Sequence, residues 1–99
     1  LAPGATGIVS VVAHVAGRRY AQMIAAIDAG DLSSAQRIHR ELIPILDALM
    51  TTSQGAIMAK AALVELGVIE HATVRLPYVE SPPEHLDILR KALAVTDLA

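Results

Sequence analysis

Residues 4–11 read GATGIVSV, and the interpretation of the whole chain depends on this short stretch. From Ile8 to Val12, four of the five residues are β-branched aliphatics, and only Ser10 interrupts them. A continuous apolar run of this kind is typical of a strand buried on both faces, as in a parallel sheet covered by helices. The pattern therefore predicts a buried strand over residues 8–12.

A buried strand needs neighbouring strands that satisfy its backbone N–H and C=O groups. The chain offers no second strand of comparable quality, because the nearest candidate, ATVRLPYVE at 72–80, is broken by Pro77. We therefore expect the partners of the strand to lie outside these 99 residues. The lack of an initiator Met before Leu1 fits the expectation that the chain is the end of a larger protein.

The remainder of the sequence predicts helices. Apolar residues recur at spacings of three and four over about 15–29, 32–50 and 56–66. Gly30 and Gly67 stand where a left-handed residue ends a helix, and Asp31 is a suitable N-cap for the second helix. The apolar stripe of that second helix, which is the predicted core, consists of Ala35, Ile38, Leu42, Ile45, Leu46 and Leu49.

Prolines set two further expectations about the helices. Pro44 lies inside the second helix, where it removes one N–H donor and clashes with the preceding turn, so we expect it to kink or divide the helix. The run Ser81-Pro82-Pro83-Glu84 predicts the start of the last helix as a capping box, with Ser81 as N-cap and proline at the first helical position.

Composition excludes several classes of protein. The formal charge is −2, with eight basic and ten acidic residues spread evenly, which argues against a nucleic-acid surface and against an anionic-membrane anchor. No apolar run reaches the roughly 18 residues of a membrane span. The chain has no cysteine, which excludes thiolate zinc sites and fits a cytoplasmic protein. The four histidines share no metal-ligand spacing, so no metal site is predicted.

The motifs, taken together, resemble one family. GATGIVSV followed by VAHVA at 12–16 resembles the last barrel strand of the dihydrodipicolinate synthase and N-acetylneuraminate lyase family of pyruvate-dependent lyases. Later motifs agree with that family in order and spacing; they are Gly30-Asp31, Leu42-Ile43-Pro44, Lys60-Ala61-Ala62-Leu63, Leu66-Gly67 and Arg75-Leu76-Pro77. The form of the strand and the Arg75-Leu76-Pro77 segment favour the synthase branch of the family.

The resemblance implies a fold. Family members form a (β/α)₈ TIM barrel followed by a C-terminal three-helix appendix, and a barrel of this type needs about 250 residues. The chain, mostly α as present, would supply the eighth strand and helix over 1–30 and the C-terminal helical domain over 31–99. That assignment explains a strand with no partners in its own sequence.

The resemblance also implies a function. In the family, pyruvate forms a Schiff base with a barrel lysine, a tyrosine relays protons, and the enamine attacks an aldehyde, which is aspartate semialdehyde in the synthase of lysine biosynthesis. Both catalytic residues belong to earlier strands, so the chain carries no catalytic residue and is expected to be inactive alone. The residue two positions past the second glycine, Val9, is the implied substrate-binding residue. The family implies a cytoplasmic homotetramer without cofactor or metal.

Other polar residues have a structural and a functional interpretation. Lys60, alone in an apolar helix, suggests a Schiff-base lysine, but its place on the appendix favours an ion pair or a snorkelling side chain. Ser10 either touches substrate or, as we expect, bonds to neighbouring backbone. His14 lacks an evident partner for general-base chemistry, so a structural role is favoured. Packing roles are favoured for Tyr20 and Tyr78 over proton relay.

Two questions stay open at the level of sequence. Arg18 and Arg19, near the start of a helix, are either exposed or reach across an interface. The alternative to a lyase segment is a stand-alone helical oligomerisation or interaction module without catalysis. In both cases, exposed strand edges and apolar stripes predict association or poor solubility of the chain by itself.

Overall fold

The structure is a computed structural model that describes residues 1–99, and it consists of four helices with no strand. The helices are α1 (Ala13–Asp28), α2 (Leu32–Met50), α3 (Gly55–Glu65) and α4 (Pro83–Val95). No helix on its own has the length and hydropathy of a membrane span; α2 and α3 reach them only as a pair, and that pair is bent by 114°.

The predicted strand over residues 8–12 does not form. Residues 5–10 have no regular secondary structure, and Val12 already has helical angles (φ −64°, ψ −24°) as the N-cap of α1. The reason is physical, since a strand is defined by ladder hydrogen bonds and these residues have no neighbouring strand to bond with. The prediction is wrong for the chain by itself, which is all-helical.

The core lies where the stripe on α2 meets the other three helices. Ala35, Ile38, Leu42, Ile45 and Leu49 are all buried, and Leu46 is half-buried. Ala48 of α2 is buried in the same core. The other buried members of the core cluster come from the three remaining helices and the N-cap of α1; they are Val12, Ala16, Tyr20, Met58, Ala59, Ala61, Ala62, Leu89 and Ala92. The predicted core stripe is therefore confirmed.

Helix ends follow the local chemistry that the sequence predicts. Gly30 (φ +76°) and Gly67 (φ +72°) adopt the left-handed conformation just beyond α1 and α3, which glycine reaches without steric cost. At the start of α2 the Asp31 carboxylate accepts a hydrogen bond from the Ser34 backbone N–H at 3.0 Å. Gly30 and Asp31 together set the turn that joins α1 to α2.

The structure corrects the expected division of α2 at Pro44 and the expected capping box at the start of α4. First, α2 continues through Pro44 without a break. Pro44 is exposed, and the helix accommodates the missing N–H donor and the crowding of the preceding turn without ending.

Second, the predicted capping box is absent. The residue before a proline is restricted to extended backbone, so Pro83 holds Pro82 at φ −70°, ψ 164° and prevents it from entering the helix. α4 therefore begins at Pro83, one residue later than predicted, and its N-cap Pro82 makes no side-chain hydrogen bond. Ser81 lies outside the helix, and its hydroxyl contacts the Met58 sulfur at 3.5 Å.

Candidate functional site

The candidate site is the N-terminal arm, by which we mean residues 1–12. The side chains of residues 8–10 alternate between two sides of the arm. Ile8 lines an apolar groove of about 260 Å³ together with Met23 and Ile27 of α1, and Ser10 is half-buried against α1. Between them, Val9 is fully exposed on the other side of the arm. This alternation is that of a strand, although no ladder bonds are present.

The end of the arm is fixed by two valines. Val12 is 2% exposed and belongs to the core. Val11 packs across Gly55, the first residue of α3, so closely that a Cβ built on that glycine would lie 3.3 Å from Val11 Cγ1. The same built atom would lie 3.6 Å from Met50 Sδ at the end of α2. The arm therefore enters the helical body at the α2–α3 junction.

Ser10 and Tyr20 are neighbours across the start of the fold. The Tyr20 side chain is buried in α1 among core residues, and the half-buried Ser10 side chain lies near it. Burial raises the pKa of Tyr20, and the neighbouring Ser10 hydroxyl opposes that rise. The sequence predicted a backbone partner for Ser10 and a packing role for Tyr20. The burial of Tyr20 agrees with the packing role.

His14 lies in the first turn of α1, directly after the arm. Its ring is exposed, and Nδ1 lies 2.9 Å from the Val11 carbonyl oxygen, to which it donates in the tautomer protonated there. Ala16, with φ −115° and ψ 21°, breaks the regular helix just beyond this turn. The Val11 carbonyl orients the His14 ring but does not activate it as a base. The role of His14 is therefore structural, as a link between the arm and the first turn of α1.

Lys60 lies on α3, far along the chain from the arm. Its ammonium donates to the Thr73 carbonyl oxygen at 2.6 Å, and the residue is exposed. The contact ties the irregular segment after α3 back to the helix. A nucleophilic lysine requires a desolvated amine, and an exposed ammonium that is hydrogen-bonded to backbone is not one.

The structure places the two arginines in different surroundings. Arg18 is exposed, whereas Arg19 is buried and donates to the Glu41 carboxylate of α2 and to Gln22 Oε1 at 2.8 Å. Arg19 thus joins α1 to α2 from within the chain.

A second groove, of about 280 Å³, lies between the end of α3, the segment after it and the start of α4. Its charged lining is mostly acidic, with Glu65, Glu70 and Glu80 beside His71. The Glu65 carboxylate is held by Arg90, and no three His, Asp or Glu side chains gather closely enough to hold a metal ion. No motif in the sequence predicts this groove.

Comparison with known proteins agrees with the sequence motifs. The sequence profile of the Dihydrodipicolinate synthetase family matches residues 1–96, which includes the arm and all four helices. The chain belongs to this family.

One curated relative and two solved structures illustrate the match. The 4-hydroxy-tetrahydrodipicolinate synthase of Kineococcus radiotolerans is 50% identical over 99 residues, which is 100% of this chain and 32% of that protein. The crystal structure of dihydrodipicolinate synthase from Thermotoga maritima superposes with a TM-score of 0.91 at 32% identity, over 99% of this chain and 32% of that one. A structure described as a monomeric dihydrodipicolinate synthase variant gives a TM-score of 0.89 at 32% identity, over 95% of this chain and 31% of that one.

These matches cover the whole chain but only part of each relative. The chain spans about a third of the length of the curated relatives that it matches, 32% for the Kineococcus protein. Within that third, the similarity covers the helices and the arm alike. The relatives are synthases by name, and that name belongs to proteins about three times as long as this chain.

Proposed function

We propose that the chain is the C-terminal part of a dihydrodipicolinate synthase that condenses pyruvate with aspartate semialdehyde in lysine biosynthesis. Residues 1–30 would form the eighth strand and helix of its (β/α)₈ barrel, and 31–99 its C-terminal helical domain. The observation that carries the proposal is the family match over residues 1–96, with the arm included. A cytoplasmic homotetramer is part of the proposal and rests on the family resemblance.

The alternation of the arm supports its assignment as a barrel strand. Ile8 and Ser10 face α1, the helix that would follow the strand and cover the outside of the barrel, while Val9 faces away from every helix. In a barrel, residues that face away from the outer helices point into the interior, where the active site lies at the C-terminal ends of the strands. Val9 would therefore line the substrate pocket.

The chemistry of Val9 fits pyruvate as a ligand. An aliphatic side chain can pack against the methyl group of the keto acid and exclude water from the reacting carbon, but it can neither donate nor accept a proton. The lysine that forms the Schiff base and the tyrosine that relays protons would come from the preceding two-thirds of the barrel. The role of this chain is thus to complete the pocket and support it.

Exposed apolar residues support a place within a larger protein. Besides Val9, the large hydrophobic side chains that are more than half exposed are Leu32, Val68, Leu76, Val79 and Val95. The preceding barrel would cover part of this surface. The alternative, a stand-alone interaction module, gains no separate support, because the family match covers nearly the whole chain.

A chimera tests the proposal. The 99 residues replace the matching segment of the Kineococcus radiotolerans relative, with which they are 50% identical, and the purified chimera is assayed for condensation of pyruvate with aspartate semialdehyde. We expect activity in the chimera and none in the relative truncated before that segment. A folded chimera that forms no Schiff base with pyruvate would contradict the proposal.

A variant of the same chimera tests the substrate-binding residue. Val9→Ala should raise the KM for pyruvate, because it removes two methyl groups from the pocket wall, each worth about 0.8 kcal/mol when buried. The KM for the aldehyde should change less. Val79→Ala, at a residue that is exposed outside the arm, is the matched control and should leave both constants unchanged.

A further inference from the structure

We propose that the α2–α3 junction, by which we mean residues 50–55, forms the part of the pocket rim that receives the aldehyde. Gly55 is the positioning residue of that rim, because its missing side chain lets the end of the arm approach the start of α3 closely. The inference rests on the proposed function, since a rim exists only if the arm is a barrel strand. It extends the contribution of the chain to the pocket from Val9 to the C-terminal helical domain.

The direction of the arm places the junction at the catalytic end of a barrel. Val11 and Val12 lie at the C-terminal end of the arm, and α1 begins directly after them, at Ala13. Active sites of (β/α)₈ barrels lie at the C-terminal ends of the strands. Val11 packs against Gly55 at that end of the arm. The residues around Val11 therefore belong to the face of the barrel that substrates reach.

Val11 lies between the junction and Val9. Side chains two residues apart in extended chain share a side, and two residues span about 7 Å. Val9 is fully exposed, whereas Val11 is half-buried and contacts the junction. Going outward along the arm, Val9 comes first, Val11 follows and the junction comes last. A keto acid held against Val9 fills the deeper part of the pocket, so the substrate that arrives second meets the rim.

The contact at Gly55 is close enough to require a glycine. A Cβ built on Gly55 would lie 3.3 Å from Val11 Cγ1, 3.8 Å from Val11 Cγ2 and 3.6 Å from Met50 Sδ. The shortest of these distances is below the optimal separation of two carbons, so a side chain at Gly55 would displace its neighbour by a few tenths of an ångström. Glycine is a poor helix former, and helix formation alone does not favour it as the first residue of α3. The close approach of Val11 gives Gly55 a physical role.

The junction is fixed by its own hydrogen bonds. At the end of α2, the Thr51 hydroxyl donates to the Asp47 carbonyl oxygen at 2.8 Å. At the start of α3, Gln54 is the N-cap, and its side-chain oxygen accepts from the Ala56 backbone N–H at 2.7 Å. Val11 thus packs against a turn that is held at both ends. A side chain added to that turn should move the arm, whose backbone N–H groups from residue 5 to residue 12 donate to no other backbone group.

The experiment measures steady-state kinetics of the chimera for four variants. They are Gly55→Ala, Val11→Ala, the double variant, and Gly17→Ala as a control at a glycine with nothing within 4 Å of a built Cβ. We expect Gly55→Ala to raise the KM for the aldehyde about three- to tenfold and the KM for pyruvate less than about twofold. In the Val11→Ala background, Gly55→Ala should add little, because Val11→Ala removes the two methyl groups that the new Cβ would press on. Gly17→Ala should leave both constants unchanged.

An unchanged KM for the aldehyde, equal changes in the KM for both substrates, or additive effects of Gly55→Ala and Val11→Ala would overturn the inference. A second readout needs neither a variant nor activity: in the 99-residue chain, NMR cross-peaks between the Val11 methyl groups and the Gly55 Hα protons report the contact. We expect strong cross-peaks, and their absence would remove the basis of the inference. An unsubstituted chimera that folds but is inactive, by contrast, contradicts only the proposed function.

Discussion

Arg19 and Glu41 form an ion pair that joins α1 to α2, and the two partners differ sharply in exposure. The Arg19 side chain is 10% exposed and that of Glu41 is 40% exposed. Arg19 Nε is buried without a hydrogen-bond partner, and the remaining contact of the guanidinium is the neutral oxygen of Gln22. Glu41 therefore provides the charge that compensates the buried cation.

Removing that carboxylate should destabilise the fold. Glu41→Gln leaves a buried guanidinium without a counter-charge. We expect the free energy of unfolding to fall by about 1–2 kcal/mol. This loss is smaller than at a fully buried ion pair, because Glu41 is partly solvated. Urea unfolding of the chain measures it. Arg37→Gln is the control: Arg37 also contacts Glu41, at 3.2 Å, but its side chain is 57% exposed, so the loss should stay under about 0.5 kcal/mol. Equal losses for both variants would show that burial of Arg19 is not the cause.

Stability should fall as the solution is acidified, with Glu65 as one source. Arg90 Nε and Nη2 donate to the two Glu65 carboxylate oxygens at 3.0 and 2.9 Å, and this paired bond lowers the pKa of Glu65 below its ordinary value of 4.5. A lowered pKa in the folded state means that the unfolded chain binds more protons over that range. The contribution is therefore complete above pH 4.5 and is lost as the pH falls through the folded-state pKa.

Unfolding free energies measured from about pH 7 to about pH 3 test this. Glu65→Gln and Arg90→Gln should each flatten the acid limb of the curve, because either change abolishes the pair. Asp31 makes a second, independent contribution to the pH dependence of stability, since hydrogen bonds from Ser34 lower the pKa of its carboxyl. Asp31→Asn keeps the N-cap but cannot titrate, so it should flatten the limb further with little loss of stability at neutral pH. An acid limb unchanged in all three variants would contradict the assignment.

Two glycines should respond oppositely to alanine. Gly17 lies within α1 with nothing within 4 Å of a built Cβ, so Gly17→Ala should stabilise the chain by about 0.5–1 kcal/mol through helix propensity. At Gly55 the new methyl group would press on Val11 and displace the end of the arm. Thermal unfolding should therefore show a higher midpoint for Gly17→Ala and no comparable gain for Gly55→Ala. A higher unfolding midpoint for both variants would show that the Val11 side chain moves aside at no cost in stability.

The helices could be predicted from sequence because their determinants are local. The stripe from Ala35 to Leu49 follows a period that only a helix satisfies, and Gly30, Asp31 and Gly67 act within one turn. The strand over 8–12 could not be realised for the opposite reason, since its hydrogen-bond partners would come from other strands. The prediction that Pro82 is the first residue of α4 is wrong because Pro83 restricts the backbone of the residue before it. The helix therefore begins at Pro83.

The site could be predicted only in part, for a related reason. The position of Val9 followed from a motif, and the structure leaves its side chain facing away from the helices. The bond from Lys60 to Thr73 joins residues thirteen positions apart in chain segments that fold back on each other. This contact has no periodic signature, so it could not be found from spacing alone.

The last prediction concerns the chain without the rest of a barrel, and it follows from its two lysines. Lys60 is exposed and donates to backbone, and Lys91 is exposed on α4, so neither amine is desolvated as Schiff-base chemistry requires. Incubation of the 99-residue chain with pyruvate and borohydride should therefore leave its mass unchanged, whereas the chimera that contains the preceding barrel should gain one reduced pyruvate adduct. Lys60→Arg serves as the internal control, since it should alter neither result. A trapped adduct on the chain that disappears in Lys60→Arg would place the nucleophile on α3 and overturn the division of roles proposed above.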